Sequence, residues 1–263
     1  MLSETGASAA TSRLGRAAGH AAFFVLLLVV WDLLHRHLGP DTVAAPSDIA
    51  ERLVRLTGSG DIFRHILATG RVAVAGLVLG WVGGLLVAVL LARLPRLAAA
   101  VEPYILGSMG IPKFALAPLL ILWFGIGDAP KVVVTTLMVF YVMFITTLSG
   151  IRSIDRGLLA MARLVGANRY WVNREIVLNT VIPYMLAGLK IGLPRAIGAA
   201  VVGEFLVADH GLGFYIEYSR QTADITGVYA GLVVVLLLVL GSDFLLGRAS
   251  KRLLAWVPKK VAL

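Results

Sequence analysis

Lys113, Lys190, Arg195 and Glu204 are ionisable side chains that stand well inside otherwise apolar runs of this sequence. A charge in hydrocarbon is expensive unless it is paired or wet, so each is a candidate for lining a solute path. Arg195 follows Pro194, whose missing N–H frees a backbone carbonyl. Lys113 follows Pro112 and lies near Gly110, a sequence suited to broken helix at a cavity wall. Lys190 is close enough to a span end to extend its ammonium to the interface, a reading as good as a path role. Covalent or metal chemistry finds no comparable set. The chain has no Cys, and His20, His35, His37, His65 and His210 never fall at the i, i+4 spacing of a helical metal pair. No G-x-x-x-x-G-K-[ST] loop is present to cradle phosphate, and Gly211-Leu212-Gly213 reads as a turn. No catalytic residue, cofactor or metal is expected.

The elements that must hold these charges follow from composition. Of 263 residues, 59% are hydrophobic and 15% charged, well outside the range of a soluble domain. A soluble enzyme, a nucleic-acid binder and a disordered chain are excluded. An integral membrane protein remains. The net charge of +9 has its ordinary explanation there, because cytoplasmic loops collect Lys and Arg.

Roughly 20 apolar residues cross a bilayer as a helix. Residues 72–92, 132–151 and 225–242 are uncharged runs that meet this requirement. Residues 17–34, 103–127 and 182–206 are interrupted spans carrying Asp32, Lys113 and the Lys190–Arg195–Glu204 set. Six spans place both termini on one side. Fourteen basic residues then fall in the termini and loops of that side, against six in the opposite loops, which sets both termini in the cytoplasm. Arg13 and Arg16 before the first apolar run resemble the start of a signal peptide, but the small-residue stretch Val43-Ala44-Ala45 lies too far on and precedes Pro46. An uncleaved anchor is expected. Three segments result: 1–64 (tail, first span and outer amphipathic segment), 65–248 (five-helix core) and 249–263 (basic cytoplasmic tail).

Two polar stretches hold structure of their own. Pro46-Ser47-Asp48 signals the start of an outer amphipathic helix, and Asp61 the start of one running on into the second span. On the inner side, residues 152–181 form a connection long enough to be functional. Ile154, Leu158, Leu159, Met161, Ala162 and Val165 share one helical face, and Gly166 ends the run. Tyr170 to Val177 gives a further turn of helix. An apolar face on a cytoplasmic helix must bury against its own bundle or a soluble partner.

This inner loop resembles the cytoplasmic signature of permease subunits of binding-protein-dependent ABC importers: E-A-A, three residues, G, nine residues, I, one residue, L-P. Ala160-Met161-Ala162 stands at the E-A-A positions, with Gly166, Ile176 and Leu178 at the later ones. Ala160 replaces the Glu, Met161 an Ala, and Asn179 the Pro, so the spacing is kept while the acidic anchor is missing. The stretch from Ile111 to Leu119 with Leu122-Trp123-Phe124-Gly125 is similar to the third span of the nitrate/sulfonate/taurine branch. Gly188-Leu189-Lys190, Pro194-Arg195-Ala196, Val202-Gly203-Glu204 and Gly211-Leu212-Gly213 are similar to its fifth span and last outer loop.

The resemblance implies an all-α, polytopic protein with six transmembrane helices and the type I ABC importer permease fold, in the inner membrane. It implies partnership with a separate ABC ATPase subunit, a periplasmic solute-binding protein and a second copy of the chain, amid membrane lipid and with no nucleic acid. Leu158, Ala160, Met161, Ala162, Gly166, Ile176 and Leu178 would form the ATPase-coupling loop. A positive path from two copies of Lys113 and Arg195 would suit a small anion such as a sulfonate, nitrate or taurine. The competing class is an ion-coupled secondary transporter or channel, with Asp32, Lys113, Arg195 and Glu204 as its relay. The matching inverted halves such proteins often show are not evident.

Overall fold

The computed structural model describes residues 4–206 and 208–253, with side chains from residue 18 apart from those of His20 and Leu253. The expectations resting on Arg13, Arg16, Lys259 and Lys260 fall outside those described side chains. Every regular element among the described residues is helical. The chain runs through α1 (Glu4–Leu38), α2 (Pro46–Ser59), α3 (Asp61–Arg93) and α4 (Pro95–Ser108). A 3-10 turn at Lys113–Leu116 leads into α5 (Ala117–Phe124), followed by α6 (Asp128–Arg152) and α7 (Arg156–Leu164). The three-residue α8 (Arg169–Trp171) passes through a π-helical segment, Val172–Leu178, into α9 (Asn179–Leu206). Then come α10 (Leu212–Gln221) and α11 (Ile225–Leu253).

Helix ends follow local chemistry. Gly39 at φ +83° and Pro40 stop α1 beyond the expected Leu34. Pro46 occupies the first turn of α2, where its missing N–H is no loss, and Gly60 at φ +80° closes that helix. Asp61 opens α3 as its pattern predicts.

Five helical stretches among the described residues are long and apolar enough to cross a membrane: Ala21–Leu38, Asp61–Arg93, Asp128–Arg152, Arg169–Leu206 and Ile225–Arg252. A sixth crossing requires α4 and the 3-10/α5 segment together, and these are bent by 89°. The expected span at 103–127 is broken at 109–112, where Gly110 and Pro112 mark the weak point in the sequence. The stretch Arg169–Leu206 begins earlier than the expected Ile182, because the π-helical segment joins α8 to α9 without a break.

The chain divides into two compact units. One comprises residues 61–215 and 233–263, and its core is the packing of α3, α6 and α9. Gly80 and Gly84 let the α3 backbone approach α6. A Cβ at either would come within 2.6 Å of a carbonyl oxygen, of Thr136 and Phe140 respectively. Val72, Ala73, Val139, Met143, Ala196, Ile197 and Ala200 form the buried centre, with Val235, Leu238 and Val239 of α11 packed on it. Close contact between small-residue faces is how helices associate where lipid removes the hydrophobic driving force. Ala88, Leu91, Ala98, Phe144 and Leu148 make a second cluster joining α3, α4 and α6.

The other unit comprises residues 1–60 and 216–232. Trp31 donates its indole N–H to the Ala44 carbonyl at 3.1 Å and stacks at a tilt on Tyr229, with ring centroids 5.6 Å apart. Arg52 of α2 pairs with Asp224 at 2.7 Å, and the other oxygen of Asp224 accepts from the Gly227 N–H at 2.9 Å, capping the start of α11.

Candidate functional site

The connection 152–181 is built on a firm base. At the end of α6, Arg152 donates to both oxygens of Glu102 on α4, at 2.8 and 2.6 Å. This bidentate geometry fixes orientation as well as distance. Three residues on, Asp155 starts α7 by accepting the Gly157 N–H at 2.7 Å. Asp155 was not singled out above, although an Asp just before an apolar-periodic run is a start signal.

The end of α7 is equally defined. The Ala167 N–H donates to the Ala162 carbonyl at 2.9 Å and the Gly166 N–H to that of Arg163 at 3.1 Å. This bond pair is a Schellman closure, and Gly166 provides its left-handed residue at φ +76°. Nothing lies within 4 Å of a Cβ added there, so the glycine answers to backbone conformation and not to crowding. Asn168 then caps α8 by accepting the Trp171 N–H at 2.8 Å.

The expected single apolar face of α7 is split by the structure. Ala162 is buried and Leu159 half-buried, and they turn inward. Leu158, Met161, Leu164 and Val165 turn outward, at 44%, 62%, 87% and 76% exposure. The helix needs only a narrow arc to pack on its own chain, which leaves most of its apolar surface bare. Ala160 is exposed at the margin of this ridge. Of the later signature positions, Ile176 is buried in the π-helical segment and Leu178 is exposed. Leu164, absent from the expected set, is the most exposed member of the ridge.

The four candidate path residues do not come together. Lys113 is buried, and its Nζ donates to the carbonyls of Ser108, Met109 and Ile111 at 2.8, 2.7 and 2.8 Å. The same ammonium lies 4.5 Å from the centroid of the Tyr141 ring, while the Tyr141 hydroxyl bonds Ser108 Oγ at 2.9 Å. An ammonium has three donors, and all three are engaged on the broken end of α4. Its charge complements the negative end of that helix, so Lys113 positions the 89° bend and keeps no donor for a solute.

Glu204 is also buried and bonded within the protein. Its Oε2 accepts from the Thr69 hydroxyl at 2.9 Å and from the Gly213 N–H at 2.8 Å. Thr69 Oγ1 accepts in turn from the Leu212 N–H at 2.8 Å, and the Gly211 N–H donates to His65 Nδ1 at 3.1 Å. The expected turn at Gly211-Leu212-Gly213 is confined to Gly211, a bend at φ +119°; Leu212 and Gly213 already begin α10, and this helix start is fastened to α3 and α9. Lys131, 2% exposed at its side chain, pairs with Asp128 at 2.6 Å and packs on Gly203 beside this network. On α10, bonds from Arg220 and Gln221 hold the Glu217 carboxyl down to about 2, so it is ionised throughout the neutral range. Lys190 and Arg195, by contrast, are exposed on α9. Among the described residues no cluster of His, Asp and Glu has the makings of a metal site.

Residues 76–255, more than half of the chain, match the family model described as binding-protein-dependent transport system inner membrane component. The formylaminopyrimidine transport permease protein ThiX of Halalkalibacterium halodurans is 32% identical over 239 residues, covering 90% of this chain and 95% of that protein. The riboflavin transport system permease protein RibX of Chloroflexus aurantiacus is 35% identical over 242 residues, covering 91% and 90%. The taurine transport system permease protein TauC of Escherichia coli is more distant, at 26% over 238 residues, covering 88% and 86%. Among solved structures, an inward-facing form of the MetNI methionine ABC transporter superposes with a TM-score of 0.63 at 22% identity, covering 75% of this chain and 96% of that one. The fold is that of a type I ABC importer permease. That context implies a separate ATPase and a binding protein as partners. The chain belongs to the family of binding-protein-dependent transport system inner membrane components and is a multi-pass, non-catalytic permease subunit of an ABC importer.

Proposed function

We propose that α7 is the element through which ATP hydrolysis in the partner ATPase drives this permease. The observation that carries the reading is the bare ridge Leu158, Met161, Leu164 and Val165, held at both ends by the Asp155 cap and the Gly166 closure. A short helix with such a surface seats in a groove, and the Glu102–Arg152 pair at its base carries its displacement to α4 and α6. Both termini lie in the cytoplasm in this reading, supported by the distribution of basic residues.

Two copies of the chain form the pathway. Arg195 lies exposed within an apolar helix, and a guanidinium facing hydrocarbon is unfavourable. A second copy or a wet path between the copies removes that cost. Lys190 and Arg195 are the path residues in this reading, with Lys113 and Glu204 holding the surrounding backbone.

The solute is a small heteroaromatic compound delivered by the binding protein. Support comes from the relatives at 32% and 35% identity, named for formylaminopyrimidine and riboflavin transport. A second reading, a small anion of the sulfonate or taurine kind, is favoured by the exposed Lys190 and Arg195 and by the taurine permease relative. Reconstitution tests both. Proteoliposomes with this chain, its ATPase and its binding protein should take up solute only with ATP on the ATPase side. Competition with riboflavin, aminopyrimidines, taurine and alkyl sulfonates then separates the two classes. Uptake by this chain alone, driven by an ion gradient, would overturn the importer reading.

A further inference from the structure

The sequence of α7, Arg-Gly-Leu-Leu-Ala-Met-Ala-Arg-Leu, contains two arginines and no acid. Arg156 and Arg163 are seven residues apart, so at about 100° per residue they stand within about 20° of each other on the helix. Both are exposed, and neither takes part in an ion pair among the described residues. Ala160 lies between them, four residues after Arg156 and three before Arg163. These are the two spacings at which an acidic side chain would neutralise a basic one. Alanine there leaves both guanidinia uncompensated. The two acids flanking the helix are already engaged: Asp155 caps α7, and Glu175 lies 3.5 Å from Arg174. Arg169, at the start of α8, is exposed as well. Beyond Leu164 and across the exposed Ala160, the edge of the apolar ridge thus gives way to unpaired positive charge, about 80–100° round the helix from Leu164.

We infer that the surface receiving α7 is a groove with an apolar floor and an acidic rim, its carboxylates facing Arg156 and Arg163. This rests on the reading of α7 as the ATPase contact and adds the chemistry of the partner's surface. The ridge supplies the buried area, and the arginines supply orientation and selection. Planar guanidinia bind carboxylates through two parallel hydrogen bonds, and an ATPase presenting basic residues at that rim is rejected by like-charge contact. The permease therefore discriminates between ATPases by charge on one flank of a single helix.

The test measures binding of the purified cognate ATPase to the full-length chain in nanodiscs of zwitterionic lipid, at low and high salt. For the parent chain, binding should weaken as salt rises. Arg156→Glu/Arg163→Glu should weaken binding roughly tenfold at low salt, and acid-to-Lys changes on the ATPase rim should restore it. Arg156→Gln/Arg163→Gln, which adds no repulsion, should flatten the salt dependence and so reports even if the reversal variant folds poorly. Met161→Asp/Leu164→Asp serves as the control for docking itself. If this ridge variant loses binding while both arginine variants keep parental affinity and salt dependence, the acidic rim is wrong and the docking reading stands. If neither kind of variant affects binding, α7 is not the contact and both fail. If the arginine effects appear only in nanodiscs of anionic lipid, the guanidinia serve phospholipid headgroups and the inference is overturned.

Discussion

The backbone N–H of Gly213 donates to Oε2 of Glu204 at 2.8 Å, across the turn that leads from α9 into α10. Thr69 of α3 donates to the same oxygen, so one carboxylate gathers three helices. A buried acceptor of this kind is costly to leave unmet. A Cβ at Gly213 would meet the Val201 carbonyl oxygen and lie 2.7 Å from Glu204 Cβ. Gly213→Ala should therefore destabilise the protein by about 2 kcal/mol, read as a lowered unfolding midpoint in detergent. Glu204→Leu should cost a similar amount by orphaning the Gly213 N–H, and Glu204→Gln less, since the amide keeps an acceptor oxygen.

The Lys113 ammonium holds three carbonyls at the break between α4 and α5. Lys113→Met should destabilise by about 1–2 kcal/mol, as three carbonyls lose the donor they share at the break. Thermal unfolding of the purified variant checks this. Any variant retained in the membrane should keep the parental order of solute competition, because the lysine holds backbone and not solute. A changed preference between anionic and neutral competitors would return Lys113 to the path.

Gly166 closes α7 at φ +76°, in open space. Gly166→Val should cost about 1–2 kcal/mol of local strain and lower both ATPase association and ATP-driven uptake, with membrane insertion intact. Gly166→Asn should retain most of both, because asparagine tolerates the left-handed region. Co-purification of the ATPase at matched permease levels provides the comparison. Equal association of Gly166→Val and parent would remove the closure from the coupling mechanism.

Cysteine accessibility tests the orientation without background, as the chain has no Cys. Gly60→Cys, between α2 and α3, should react with an impermeant maleimide added from outside. Labelling from the cytoplasmic side alone would invert the topology.

Much of this was legible where the signal is local. Pro46 and Asp61 open helices as their residue types require, and Gly166 ends α7 in the left-handed conformation that a C-terminal glycine provides. The break at 109–112 was only half legible. Pro112 and Gly110 mark a weak point, but apolar residues on both sides read as one span, and the bend depends on a lysine reaching back to carbonyls. The Glu204–Gly213 bond was not legible at all: two motifs stood apart in the sequence, and only tertiary packing joins them through Thr69. Helix α7 shows a third limit. Periodicity placed Leu158, Leu159, Met161 and Ala162 on one apolar face, yet it cannot say how much of that face the chain itself covers.

If the ridge of α7 seats in the ATPase, a single-cysteine cross-link will trap the contact. Leu164→Cys, at the most exposed ridge position, is combined in turn with cysteines placed around the groove of an otherwise cysteine-free ATPase. Disulfide formation should occur at the groove floor, fail at positions away from it, and stop uptake until a reductant is added. Absence of any cross-link in a complex that still transports solute with ATP would mean that the α7 ridge does not seat in the ATPase.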